Sequence, residues 1–179
     1  DGFIYARYGN PTVRMFEERM AALEGAEDAF ATASGMAAVH AALLSRLRAG
    51  DHVVASRALF GSCLWILETL LPRFGVAVSL VHGPDLDAWR AAMRPETRLL
   101  FLESPANPTL ELIDVAEVAR IGRAAGAPLV VDNVFATPVF QRPLELGAEV
   151  VVYSATKHVD GQGRVLGGVV LGPEAVIRG

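Results

Sequence analysis

Residues 129–157, LVVDNVFATPVFQRPLELGAEVVVYSATK, hold two short apolar runs, Leu129-Val130-Val131 and Val150-Val151-Val152-Tyr153. Unbroken β-branched runs of this length, with no polar residue at alternate positions, suit a strand buried on both faces. The first run closes on Asp132-Asn133 and the second opens into Ser154-Ala155-Thr156-Lys157. Similar runs recur, predicting strands over 29–33, 52–56, 76–81, 99–103, 129–132, 150–153 and 168–171. Helical spacing between them predicts helices near 36–48, 62–74, 86–93 and 115–125. At the front, Asn10 suits an N-cap and Pro11 the first helical position; Val13, Phe16, Met20 and Leu23 follow at helical spacing, and Gly25 stops the run. Buried strands alternating with helices predict an α/β fold, a mostly parallel sheet between helices.

The 179 residues suffice for one such domain and not for two full ones. A hydrophobic fraction of 52% and a mean hydropathy of +0.35 exclude disorder. The formal charge is −4 and the arginines are scattered, so the basic stripe that nucleic-acid binding needs is missing. No apolar run reaches the length of a membrane span, and no membrane partner is expected. Cys63 is the single cysteine, which rules out an intrachain disulfide, is compatible with a cytoplasmic location, and reads as a packing residue. The chain starts at Asp1 without Met or a leader and ends at Gly179 after a strand-like run. It is expected to be part of something larger.

In open parallel sheets, ligands bind beyond the carboxyl ends of the strands. That rule selects Ser34-Gly35, Phe60-Gly61, Ser104 to Asn107, Asp132-Asn133 and Ser154 to His158. A carboxylate ending a buried strand, as at Asp132, must meet a cation or several donors, or else cap the next turn. Lys157, flanked by hydroxyls, is either an amine nucleophile or a solvated loop lysine. Taken together the two suggest pyridoxal 5'-phosphate (PLP), which needs an amine to hold it and an acid to keep its ring nitrogen protonated. It also needs a phosphate cradle. Ser34, Gly35 and Met36 offer one at a helix N-terminus, where free N–H groups and the dipole favour an anion, and Ser154 and Thr156 add hydroxyls.

Five stretches, YARYGNPT (5–12), ATASGMAA (31–38), ESPANPTLELIDV (103–115), VVDNVFATP (130–138) and SATKHVDGQGRVLGG (154–168), resemble, in order, the motifs of the Cys/Met-metabolism PLP-dependent enzymes. The resemblance implies the fold type I, aspartate-aminotransferase-like large domain over residues 1–179, with a C-terminal domain outside this chain. It implies that Lys157 holds PLP as a Schiff base and that Asp132 pairs with the ring nitrogen. Ser34, Gly35, Met36, Ser154 and Thr156 are then contacts to phosphate and ring, and Asn107 faces the phenolic oxygen. Tyr5 and Arg7, on an arm over residues 1–10, would reach the partner subunit's cofactor, which implies a homodimer or homotetramer with shared active sites.

Where many members carry a tyrosine that stacks on the cofactor, this chain has Phe60-Gly61-Ser62, keeping the ring and losing the hydroxyl. With SRALFGSC (56–63) and KHVDGQGRVLGG (157–168), that is most similar to the O-succinylhomoserine sulfhydrylase branch. The implied reaction is γ-replacement on a small amino-acid substrate in methionine biosynthesis: O-succinylhomoserine and sulfide give homocysteine and succinate. Cystathionine γ-synthase or γ-lyase chemistry is the enzymatic alternative, and a fragment that keeps only the fold is the non-enzymatic one. Gly161, Gly163 and Gly167 read as a flexible turn and not a dinucleotide fingerprint. His158 and Asp160 lack a third metal ligand at useful spacing; His40, His52 and His82 read as structural; Trp65 and Trp89 are expected to pack.

Overall fold

The computed structural model describes residues 2–179. Its strands are β1 (Asp28–Thr32), β2 (His52–Ser56), β3 (Ala77–Val81), β4 (Thr97–Glu103), β5 (Leu129–Asp132), β6 (Val150–Ser154) and β7 (Gly168–Gly172). Its helices are α1 (Pro11–Glu24), α2 (Gly35–Leu44), α3 (Gly61–Trp65), α4 (Leu71–Arg73), α5 (Leu86–Ala92), α6 (Val115–Ala124), α7 (Thr137–Phe140) and α8 (Glu174–Arg178). The strands form one sheet in the order β1-β7-β6-β5-β4-β2-β3. Five of them, β3, β2, β4, β5 and β6, pair in parallel, while β7 runs against both neighbours. No α-helix crosses over between β6 and β7, so β7 returns antiparallel.

Alternation along the buried strands divides the core between two faces. Val53, Ala55, Leu99, Phe101, Val130, Val150 and Val152 pack with Val39, Leu43, Cys63 and Leu67 of α2 and the α3 region. Val54, Leu100, Leu102, Leu129 and Val131 point the other way, onto Trp89 of α5 and Val118 and Ile121 of α6. Val151, Tyr153, Val169 and Leu171 continue that second face against Met20 and Ala21 of α1. With both faces covered, the strands carry the unbroken apolar runs from which they were predicted.

Helix α1 begins as its sequence dictates: Asn10 Oδ1 accepts from the Thr12 and Val13 N–H groups at 2.9 and 3.3 Å. Gly25 ends it with φ 78°, a conformation that favours glycine. The helix predicted over 36–48 stops at Leu44, although buried Leu47 continues the apolar spacing from the following turn. Apolar spacing follows burial, and here burial outlasts the helical hydrogen bonding. The stretch predicted over 62–74 widens into a π turn at Ile66–Leu70 between α3 and α4. Pro72, lacking an N–H and crowding the preceding turn, accounts for the interruption. Trp89 is fully buried, with its indole N–H donating to Gly83 O at 2.8 Å. Trp65 does not pack as expected and is half exposed, because Cys63, Ile66 and Leu67 form the inward stripe and residue 65 lies off it. Among the described residues no helix is long and apolar enough to cross a membrane.

Candidate functional site

β1, β2, β4, β5 and β6 point the same way, so the segments following them gather along one edge of the sheet. There they enclose a cavity of about 350 Å³. Nine of the predicted site residues line it: Ser34, Gly35 and Met36 after β1, Phe60 after β2, Asn107 after β4, Asp132 at the end of β5, and Ser154, Thr156 and Lys157 after β6. Tyr5 and Arg7 do not. They lie in the segment before α1, where the Arg7 guanidinium sits 5.1 Å from the Tyr5 ring centre and 5.6 Å from that of Tyr8. Arg7 instead borders a separate surface hollow with Arg14, Asp28 and Arg178. Of the arm predicted over residues 1–10, Asp1 lies outside the described residues.

The helix N-terminus is built by close approach. Ser34 is extended (φ −163°, ψ 164°) and its Oγ accepts from Ala37 N–H at 3.2 Å, capping α2. The N–H groups of Gly35 and Met36, in the first turn, have no carbonyl within the helix to bond. A Cβ at Gly35 would stand 2.5 Å from Ser154 Cβ and 2.8 Å from Ser154 Cα. One at Gly168 of β7 would stand 2.2 Å from Ser34 O. Two glycines therefore seat the start of α2 directly on β6 and β7. Alanine favours helices over glycine, so propensity alone would stabilise Gly35→Ala by roughly 0.5–1 kcal/mol. The contact with the Ser154 backbone reverses the sign. Gly35→Ala in the full-length protein should lose about 1–3 kcal/mol of stability, read by denaturant unfolding.

Asp132 is buried and accepts one hydrogen bond, from Val134 N–H at 3.1 Å. It thus caps the following turn. Among the described residues no ion pair reaches it, and burial pushes its carboxyl up to about 7. Lys157 lies exposed in a π turn, Ala155–Val159, whose regular geometry breaks at Lys157 itself (φ −91°, ψ −116°). The break separates the residues that continue β6 from the turn that follows. Thr156 differs from the expectation of a free donor. Its hydroxyl donates to Gly167 O at 3.2 Å and accepts from Gly167 N–H at 3.0 Å, tying the loop after Lys157 to the start of β7.

Sequence reading passed over several residues of the cavity. Val39, Ser62, Cys63, Val134, Phe135 and Leu166 also line it. So does Glu103, the last residue of β4, in register with Asp132 of β5. Its position at a strand end was the available signal. Burial, and then the charge of Asp132, push the Glu103 carboxyl up to about 7, against the backbone N–H groups of Phe60 and Asn107. Burial, with both carboxylates nearby, drives the Cys63 thiol far above its ordinary value, so it stays protonated and packs.

Behind the cavity lies a buried polar chain. Tyr153 OH donates to Glu24, and Asn133 Nδ2 donates to Tyr153 OH at 2.6 Å. Gln141 Nε2 donates to Asn133 Oδ1 at 2.8 Å and to Ser104 O at 2.9 Å. The chain fixes Asn133, the residue after Asp132. His52 is likewise structural, with its ring nitrogens 2.8 Å from Thr97 Oγ1 and 3.0 Å from Ser79 Oγ.

Comparison with known proteins follows the same lines. The O-succinylhomoserine sulfhydrylase of Mycobacterium tuberculosis is 54% identical over 179 residues, covering all of this chain and 44% of that protein. That of Pseudomonas aeruginosa is 56% identical over 171 residues, 96% of this chain and 42% of that protein. The crystal structure of cystathionine γ-lyase from Lactobacillus plantarum in complex with L-serine matches with a TM-score of 0.95 at 35% identity, over 99% of this chain and 46% of that one. The chain thus spans less than half the length of these relatives. The family model described as Cys/Met metabolism PLP-dependent enzyme matches residues 1–177. With that match over nearly the whole chain, and a fold type I sheet beneath it, this chain belongs to the Cys/Met-metabolism PLP-dependent enzyme family.

Proposed function

We propose that this chain supplies the cofactor-holding part of a PLP-dependent sulfhydrylase, acting on an O-acylhomoserine and sulfide. The observation that carries this reading is the juxtaposition, in one cavity, of Lys157, buried Asp132 and the N-terminus of α2. The residues fit PLP on physical grounds. Asp132 is a buried carboxylate with no ion-pair partner among the described residues, which suits it to a protonated ring nitrogen. Gly35, pressed against Ser154, leaves the α2 N–H groups uncovered for a phosphate.

In this reading Lys157 Nζ would hold the cofactor covalently, and Asp132 would keep its ring nitrogen protonated. Gly35 and Met36 N–H, with Ser34 and Ser154, would receive its phosphate, and Asn107 would serve its phenolic oxygen. Bound PLP supplies the electron sink for carbanion chemistry. Lys157 Nζ would also move protons at the substrate's α and β carbons. Phe60 offers a ring face and no acid or base. Tyr5 and Arg7 serve the site of a second copy, with residues 1–10 as an arm of the large domain and a further domain outside this chain. The shared sites make the enzyme a homodimer or homotetramer.

Steady-state assay of the full-length protein tests the proposal. O-succinylhomoserine with sulfide should give homocysteine and succinate with a kcat/KM above that for cysteine as acceptor or for methionine cleavage. Preferred cleavage of methionine or cystathionine would overturn it in favour of a lyase. A protein that takes up no PLP would leave only the fold. Phe60→Tyr bears on the same choice: Phe60 is 44% exposed, so a hydroxyl fits at the ring edge. A positioned proton donor is worth about 10²–10⁴ in rate, so this variant should raise γ-elimination by tenfold or more. Unchanged elimination would show that the missing hydroxyl does not set the branch.

A further inference from the structure

The Phe60 N–H donates to Glu103 Oε2 at 2.7 Å, a bond that joins the loop after β2 to the end of β4. Phe60 is the residue that starts α3, and no side chain caps that helix. Glu103 is 1% exposed and its other oxygen, Oε1, is buried without a hydrogen-bond partner. An acceptor for one N–H does not require a buried carboxylate, since a neutral side chain would be cheaper to bury. A charged acceptor holds the N–H more tightly. Glu103 lines the same cavity as Phe60 and Asn107, so one carboxylate stands between the two loops. Both loops line the cavity that contains Lys157 and Asp132.

We infer that Glu103 is a positioning residue for the cofactor cavity: its carboxylate fixes the backbone of Phe60, and with it the angle at which the Phe60 ring faces Lys157 and Asp132. This rests on the reading of the cavity as a PLP site. The hydrogen bond that Glu103 makes is to the Phe60 backbone. It acts through Phe60.

The test uses the full-length protein and three substitutions. Glu103→Ala removes the acceptor. Glu103→Asp keeps the charge but withdraws the oxygens by one methylene. Glu103→Gln keeps an acceptor at the same reach. Two readouts separate the geometric link from its consequence: amide hydrogen exchange at Phe60 in cofactor-free protein, and the visible circular dichroism and affinity of added PLP. Loss of a hydrogen bond to a charged group corresponds to about tenfold, so Ala and Asp should each speed exchange at Phe60 by about that factor. The same two variants should weaken PLP binding by about tenfold and shrink the dichroic band, while Gln, a neutral acceptor at the same reach, should fall between wild type and Ala. Asp serves if the Ala protein does not fold. Unchanged exchange in both Ala and Asp would overturn the link. Faster exchange with an unaltered band and affinity would make Glu103 purely structural and overturn the inference. A Gln variant at wild-type level in both readouts would do the same, by showing that the buried charge plays no part in holding Phe60. Failure of the PLP reading is distinguishable: wild-type protein would then show no visible band, while the exchange contrast stays readable.

Discussion

Lys157→Ala in the full-length enzyme should abolish the label that borohydride reduction fixes between PLP and the peptide containing residue 157, and should lower turnover by at least about a thousandfold. Of the 16 Lys and Arg side chains here, 15 are Arg and Lys157 is the only lysine. A guanidinium cannot shed its proton to become a nucleophile, so no neighbour within these residues can substitute. The label on a different lysine of the full-length protein would refute the assignment. The same variant tests the shared site. If Tyr5 and Arg7 serve the partner, Lys157→Ala and Arg7→Ala damage different sites within one dimer. Each homodimer should be nearly inactive. A mixed dimer has one wholly native site, because the Lys157→Ala chain lends its intact Arg7 to the site that keeps Lys157. Random association of equal amounts gives about half mixed dimers, so activity should recover to about a quarter of wild type, as the two-fold symmetry of an isologous interface requires. Confirmed mixed dimers as inactive as their parents would show that Tyr5 and Arg7 act within their own subunit or not at all.

Asp132→Asn should separate stability from activity. The carboxyl stands at about 7 in the folded chain, against an ordinary value of 3.8. An acid whose folded value is raised favours the native state least when ionised. Its burial cost is absent below pH 4, grows as the pH rises, and is complete above about pH 7. In cofactor-free full-length protein, Asp132→Asn should therefore stabilise at pH 8 by up to about 4 kcal/mol and near pH 4.5 by only about 1 kcal/mol. Asparagine keeps the acceptor for Val134 N–H, so the turn is preserved. Turnover should fall by several orders of magnitude at every pH, because asparagine cannot hold the ring nitrogen protonated. Chemical denaturation of apoprotein at the two pH values, beside steady-state rates, checks both halves. Destabilisation at pH 8 would mean that a cation compensates Asp132, and near-normal turnover would make it a turn cap alone.

The antiparallel β7 shows where sequence reading stops. Residues 168–171 read as a strand because Val169, Val170 and Leu171 are apolar, but strand direction depends on the path of residues 155–167, which carry no apolar period. The short helices α7 and α8 escaped notice for a related reason: four or five residues cannot display a 3.6-residue repeat. Trp65 was misplaced because helical spacing gives a period and not a phase, and only the neighbouring sheet decides which stripe turns inward.

By itself the sequence determined the α/β class, the seven strands and the strand-end polar residues, since burial on both faces leaves a local mark: continuous apolar runs ending in polar ones. It also marked Asp132 and Lys157, whose chemistry is conspicuous at such ends. Only the tertiary structure decided that Glu103 stands in register with Asp132, that Gly35 presses on Ser154, and that Thr156 is tied to Gly167. Each of those contacts joins segments that are distant along the chain, or depends on an approach of under 3.5 Å. Such proximity is fixed by the order and twist of the sheet, which no single segment encodes.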